Sequence, residues 1–130
     1  MSAVRTIKVL FVEKDDGLKP LIINRLKHSG KQATILFAHT YKESVKILEE
    51  NPDIEIVSLG GRFANESDTQ VAATLKLIPI IREKLGAVEI IAASAAGDYN
   101  QQLLRVGCNI QMDKNTLIRY IISLASPRHH

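Results

Sequence analysis

Val9-Leu10-Phe11-Val12-Glu13-Lys14-Asp15-Asp16-Gly17-Leu18 passes from an aliphatic run, through a cluster of charges, to the first residue of a helical stripe. A run this continuous in Val, Leu and Phe reads as a strand buried on both faces. The charged cluster then marks where that strand leaves the core. Leu18, Leu21, Ile22 and Leu26 follow at i, i+3, i+4 and i+8, the spacing of one helix face, and all four are expected to be buried. Pro20 falls in the first turn, where its missing N–H has no partner to lose. Gly30 stands where a left-handed C-cap is expected.

The same alternation recurs along the chain. Further apolar runs cover Ala33 to Ala38, Ile54 to Leu59, Val88 to Ala93 and Asn109 to Met112, and each is followed by helical spacing. Thr40-Tyr41-Lys42-Glu43 has capping-box spacing and opens a helix that buries Tyr41, Val45 and Leu48. The third helix is expected from about residue 68 to 85. Its apolar residues wrap around more than one face, and Pro79 predicts a kink. Leu77, Ile80 and Ile81 are read as core in preference to a partner surface. The fourth helix spans residues 99–106 and closes at Gly107. The fifth starts at the cap-like Asn115 and buries Leu117, Ile118, Ile121, Leu124 and Ala125. Strand and helix alternating five times predicts an α/β fold, a five-stranded parallel sheet with helices on both faces.

The 130 residues suit a single domain spanning residues 1–130, with no linker or repeat. Trp is absent and only 3 Phe and 3 Tyr occur, so aliphatic side chains must build the core. The lone Cys108 excludes an internal disulfide, and with no secretory segment near Met1 it points to the cytoplasm. No apolar run reaches the roughly 20 residues needed to cross a bilayer, so no membrane association is expected. The net charge of +3 comes from scattered cations, interrupted by Asp15-Asp16 and Glu49-Glu50, which reads as a solvated surface. His28 and His39 lack a second ligand at zinc spacing and are expected on the surface or at caps. Cys108 reads as a small core residue. Gly60-Gly61 matches no phosphate-loop pattern and reads as loop flexibility.

In parallel sheets of this kind, chemistry gathers at the carboxyl ends of the strands. Those ends supply Glu13, Lys14, Asp15 and Asp16 after the first strand, Ser58 after the third, Ser94 after the fourth and Lys114 after the fifth. With these residues the chain resembles, from Ile7 to about Ala125, the receiver domain of bacterial two-component response regulators, which implies a flavodoxin-like topology. Val9 to Leu18 looks like the first strand with its acidic pair. Ile90-Ile91-Ala92-Ala93-Ser94-Ala95 resembles the fourth strand with its hydroxyl residue, and Lys114 matches the family's lysine.

The resemblance also implies what is missing. Ser58 aligns with the phosphoacceptor aspartate. A carboxylate oxygen can attack phosphorus directly, whereas a serine hydroxyl needs a base to remove its proton. Glu13 and Lys14 align with the two acids that hold Mg²⁺, and an ammonium in that place opposes a compact oxygen shell. Gln111 stands at the aromatic switch position and Asn115 at the usual proline. The expectation is therefore a degenerate phosphorylation pocket of Glu13, Lys14, Asp15, Ser58, Ser94 and Lys114, without metal, cofactor or enzymatic activity, in which Lys114 bridges to Glu13 or Asp15.

The expected role is a non-phosphorylatable module that contacts a protein partner, or a second copy, in signalling or transcription control. Candidate contact residues on the fourth and fifth helices are Gln102, Arg105, Arg119 and Tyr120. A second reading, of a different class, is a small-ligand sensor or enzyme using Glu13, Ser58, Ser94 and Lys114 around a small anion. Nothing after Ala125 resembles a helix-turn-helix, so direct nucleic-acid binding is not expected.

Overall fold

The computed structural model describes residues 6–13, 17–60, 73–93 and 97–127. Five strands form one parallel sheet: β1 (Lys8–Val12), β3 (Thr34–Ala38), β4 (Ile56–Leu59), β5 (Glu89–Ala92) and β6 (Ile110–Gln111), in the order β3-β1-β4-β5-β6. Between them run α1 (Leu18–His28), α2 (Tyr41–Glu50), α3 (Ala73–Leu85), α4 (Gly97–Val106) and α5 (Lys114–Leu124). The expected five-stranded parallel sheet and its flavodoxin-like order are therefore present. A second, two-stranded antiparallel ribbon joins β2 (Lys31–Gln32) to β7 (Ser126–Pro127), with Lys31 paired to Pro127 and Gln32 to Ser126. The Lys31 ammonium also donates to the Ile122 carbonyl at 3.0 Å, so this ribbon ties the end of α5 to the turn after α1.

Strand alternation divides the core into two layers. Val9, Phe11, Ile56 and Ile91 face one side, against Leu18, Ile22 and Leu26 of α1 and Leu117, Ile118 and Ile121 of α5. Leu10, Val12, Val57, Leu59 and Ile90 face the other, against Leu48 of α2, Leu77, Ile78 and Ile81 of α3 and Leu103 of α4. Helices thus cover both faces. Leu77 and Ile81 are fully buried, which assigns them to the core. α3 continues through Pro79.

Several side chains sit differently from their sequence reading. Leu21 and Leu124 are 42% and 41% exposed, because each lies at the margin of its helix's apolar stripe. Tyr41 and Val45 are half-buried, and it is Ser44, with its hydroxyl donating to the Thr40 carbonyl at 2.9 Å, that joins Leu48 beneath α2. α5 begins one residue earlier than its expected cap. Asp113, not Asn115, is the N-cap, and its carboxylate accepts from the Thr116 N–H at 2.7 Å. Thr40 caps α2 as expected, accepting from Glu43 N–H at 3.1 Å, and the Glu43 carboxylate accepts from His39 N–H at 2.9 Å. Gly30 takes a positive φ of 64° after α1, the expected left-handed turn.

Below the sheet, at the amino ends of the strands, Arg82 of α3 forms a dense polar contact. Its guanidinium donates to the carbonyls of Gly86, Val88 and Gly107 and to Asn109 Oδ1, while that same amide oxygen accepts from Ile90 N–H at 2.8 Å. One side chain thereby joins α3, the start of β5 and the turn between α4 and β6.

Candidate functional site at the carboxyl edge of the sheet

The carboxyl edge is built outward from β1. Glu13 follows directly on Val12, and its N–H donates to the Ala38 carbonyl at 3.0 Å, which continues the β1–β3 ladder by one residue. On the other side Gly60 N–H donates to the Val12 carbonyl at 2.8 Å, continuing the β1–β4 ladder. Val12 is in register with Leu59, so the next step sets Glu13 beside Gly60. The Glu13 carbonyl accepts from His39 Nδ1 at 2.8 Å, which makes His39 a half-buried member of this edge.

Glu13 is only 5% exposed, which is unusual for a carboxylate. Its Oε2 lies 3.7 Å from the Lys114 ammonium, whose side chain is 39% exposed at the first position of α5. A carboxylate taken out of water needs a cation or donors near it. Asp113 caps α5 and so fixes where Lys114 starts, which brings its ammonium over the ends of the strands. The expected bridge from Lys114 thus goes to Glu13.

Ser58 lies one residue inside β4, not beyond its end. It pairs with Phe11 on β1 and Ile91 on β5, and it is 2% exposed. Register partners in a parallel sheet point to the same face, so Ser58 is directed toward the α1 and α5 layer, below the level of Glu13. The position level with Glu13 is Gly60, which the sequence alone presented as loop flexibility. Finding it requires the strand register, and one strand's sequence does not contain that. Lys14, Asp15, Asp16 and Ser94 lie outside the described residues.

Gln111 ends β6, in register with Ala92, and is exposed. Of the candidate contact residues, Gln102, Arg105 and Arg119 are exposed. Tyr120 is half-buried, and its hydroxyl donates to the Glu89 carboxylate at the start of β5. That contact holds the phenol well above its ordinary range, at about 12, with burial adding to it. Cys108 is 8% exposed, and burial pushes its thiol up to about 12 against the opposing charge of Arg82. It is a core residue.

Among the described residues no group of three His, Cys, Asp or Glu side chains converges, and no helix is long and apolar enough to cross a membrane. Among the described residues this edge offers one carboxylate facing an ammonium, fewer oxygens than the octahedral shell of Mg²⁺ takes. The described part of the edge is a settled ion pair over a glycine, beside a serine covered by the sheet.

No family model matches the sequence, and no curated protein matches it. Solved structures do. A response regulator receiver protein from Pseudomonas putida is 20% identical, with a TM-score of 0.66 over 94% of this chain and 99% of that one. A CheY-like receiver domain protein from Methanospirillum hungatei is 13% identical, with a TM-score of 0.68 over 92% and 94% of the two chains. The co-crystal structure of Saccharomyces cerevisiae Ypd1 with the receiver domain of Ssk1 contains a match at 20% identity and a TM-score of 0.64, covering 92% of this chain and 89% of that one. The fold of this chain is that of response regulator receiver domains.

Proposed function

We propose that this chain is a single receiver-like domain that does not accept a phosphoryl group and works as a protein-interaction module in bacterial signal transduction or transcription control. The observation that carries this reading is the composition of the β4 end. From Ile56 to Asn65 the sequence holds no aspartate or glutamate. Whether position 58, 59 or 60 answers to the phosphoacceptor, the residue there is Ser58, Leu59 or Gly60, and none offers a carboxylate. The burial of Ser58 and the commitment of Lys114 to Glu13 support the same reading. Lys14 in place of a metal-holding acid, Gln111 in place of an aromatic switch and Asn115 in place of the proline are its further elements.

A module without the phosphorylation step acts through its surfaces. Val106 and Ile110 are 45% and 43% exposed, and Gln102 and Arg105 are exposed on the same helix as Val106, which supports a contact surface at this end of the sheet. A receiver domain in complex with another protein, as in the Ypd1 and Ssk1 pair, supports a protein partner as the general mode. We place the domain in the cytoplasm, without enzymatic activity of its own.

The test is incubation with Mg²⁺ and acetyl phosphate followed by intact mass measurement. The expected result is an unchanged mass. A hydroxylamine-labile adduct of about 80 Da would mean that an acyl phosphate forms, and the reading would then be wrong.

A further inference from the structure

Two neighbouring helices carry cations and no acids. α1 carries Lys19, Arg25 and Lys27, α5 carries Lys114 and Arg119, and neither helix contains an aspartate or glutamate. Both helices pack on the same face of the sheet. Between them lies a cavity of about 400 Å³ lined by Arg25 from α1 and by Asn115, Ile118 and Arg119 from α5. An exposed guanidinium therefore stands on each wall, with a side-chain amide beside one of them and the buried Ile118 as an apolar floor.

We propose that this groove binds a phosphate group carried by a small molecule, clamped between Arg25 and Arg119. The planar guanidinium presents a rigid fork of donors that matches phosphate oxygens two at a time, and forks from two sides match its tetrahedral shape. Among the described residues no ion pair engages Arg25. Arg119 lies near Asp113, but that carboxylate is turned to the Thr116 N–H as the cap of α5. The cavity has the size of small-ligand sites, which begin near 300 Å³. Asn115 can donate and accept at the edge of an attached organic group, and Ile118 offers it an apolar contact.

The arrangement favours a small ligand over a nucleic-acid strand. A strand's phosphates run in a line and call for a row of cations. Here Lys27, two residues after Arg25, lies about 200° round the helix from it and cannot extend the pair into a row. The site is also separate from the strand-edge pair of Glu13 and Lys114, so it stands or falls independently of the function proposed above.

Titration calorimetry with pyrophosphate and with ADP, at physiological salt, tests the assignment. One-to-one saturable binding is expected, weakened about tenfold or more by Arg25→Gln and by Arg119→Gln, the loss expected for removing one charged donor. Both positions are exposed, and thermal unfolding of the variants checks that they remain folded. Lys76→Gln, exposed on α3 on the opposite face of the sheet, is expected to bind as the unaltered chain does. Absence of saturable binding to either probe overturns the proposal. So does binding that ignores both arginine variants, binding that is abolished by Lys76→Gln, or binding of a single-stranded oligonucleotide in place of both probes.

Discussion

The carboxylate of Glu13 occupies the space that any side chain at position 60 would fill. A Cβ on Gly60 would lie 1.9 Å from Glu13 Oε2 and 2.5 Å from its Cδ, well inside van der Waals contact. Gly60 is not one of the residues with positive φ, so its requirement is for space and not for backbone freedom. The edge of the sheet is thereby closed by a folded-over carboxylate, held from above by Lys114.

Gly60→Ala is therefore expected to expel the Glu13 carboxylate from its place over β4 and to break its contact with Lys114. Because the far end of a flexible side chain is what must move, the loss belongs at the low end of overpacking, about 1 kcal/mol in urea unfolding. In a Glu13→Ala background the three atoms nearest that Cβ are gone, and its cost should shrink by about 0.5 kcal/mol or more. Equal costs in both backgrounds would show that the two residues are not coupled.

Much of the fold was legible because buried parallel strands are written as unbroken aliphatic runs, and because Thr40 and Glu43 announce a helix start by spacing alone. The β2–β7 ribbon was not legible, since Lys31-Gln32 and Ser126-Pro127 have no apolar pattern and pair only because α5 ends beside α1. Leu21 and Leu124 show the limit of a helical stripe: periodicity gives a face but not its width. At the site, Glu13 and Lys114 were readable as charged residues at strand ends. That Gly60, and not Ser58, is level with Glu13 depends on parallel register, which the packing of both faces sets. Asp113 and Asn115 are both cap-forming residue types, and only the start of α5 at Lys114 decides between them.

Arg82 donates to three carbonyls and one amide oxygen contributed by separate turns. Arg82→Met is expected to leave several of these acceptors unpaired at once and to destabilise the domain by about 2–4 kcal/mol. Arg82→Lys should recover little, because an ammonium cannot reproduce the fork that spans Val88 and Gly107. Chemical unfolding of the two variants checks this, and full recovery by lysine would refute the role given to the fork.

The Tyr120 phenol donates to the Glu89 carboxylate, which keeps it neutral up to about pH 12. A phenol with its folded pKa raised contributes stability that is fully present below the ordinary value of 10.0 and is lost as pH climbs through about 12. Spectrophotometric titration near 295 nm should show a phenolate step near pH 12 that is absent from Tyr120→Phe. Glu89→Gln should move it down while leaving its amplitude intact. If a step near pH 12 survives in Tyr120→Phe, or stays in place in Glu89→Gln, the hydrogen bond to Glu89 is not what sets it.

Cys108 tests the packing under α3 and α4 from a different direction. It lies in the layer formed by Leu77, Ile78, Ile81 and Leu103, with 8% of its surface exposed. Burial raises its thiol from 9.0 to about 12, although the nearby Arg82 charge acts the other way. At pH 8 that change cuts the thiolate present by about a thousandfold, and thiolate is the species that attacks a disulfide reagent. Labelling with an aromatic disulfide at pH 8 is therefore expected to be slow in the folded domain and to proceed at the rate of local or global opening. It should become fast in denaturant, where the thiol regains its ordinary range. Arg82→Met sharpens the test, because it loosens the turn that carries Cys108 while removing the one cation that favours its thiolate. If opening controls access, labelling of that variant is faster than in the unaltered chain; if thiolate stabilisation by Arg82 controls it, labelling is slower.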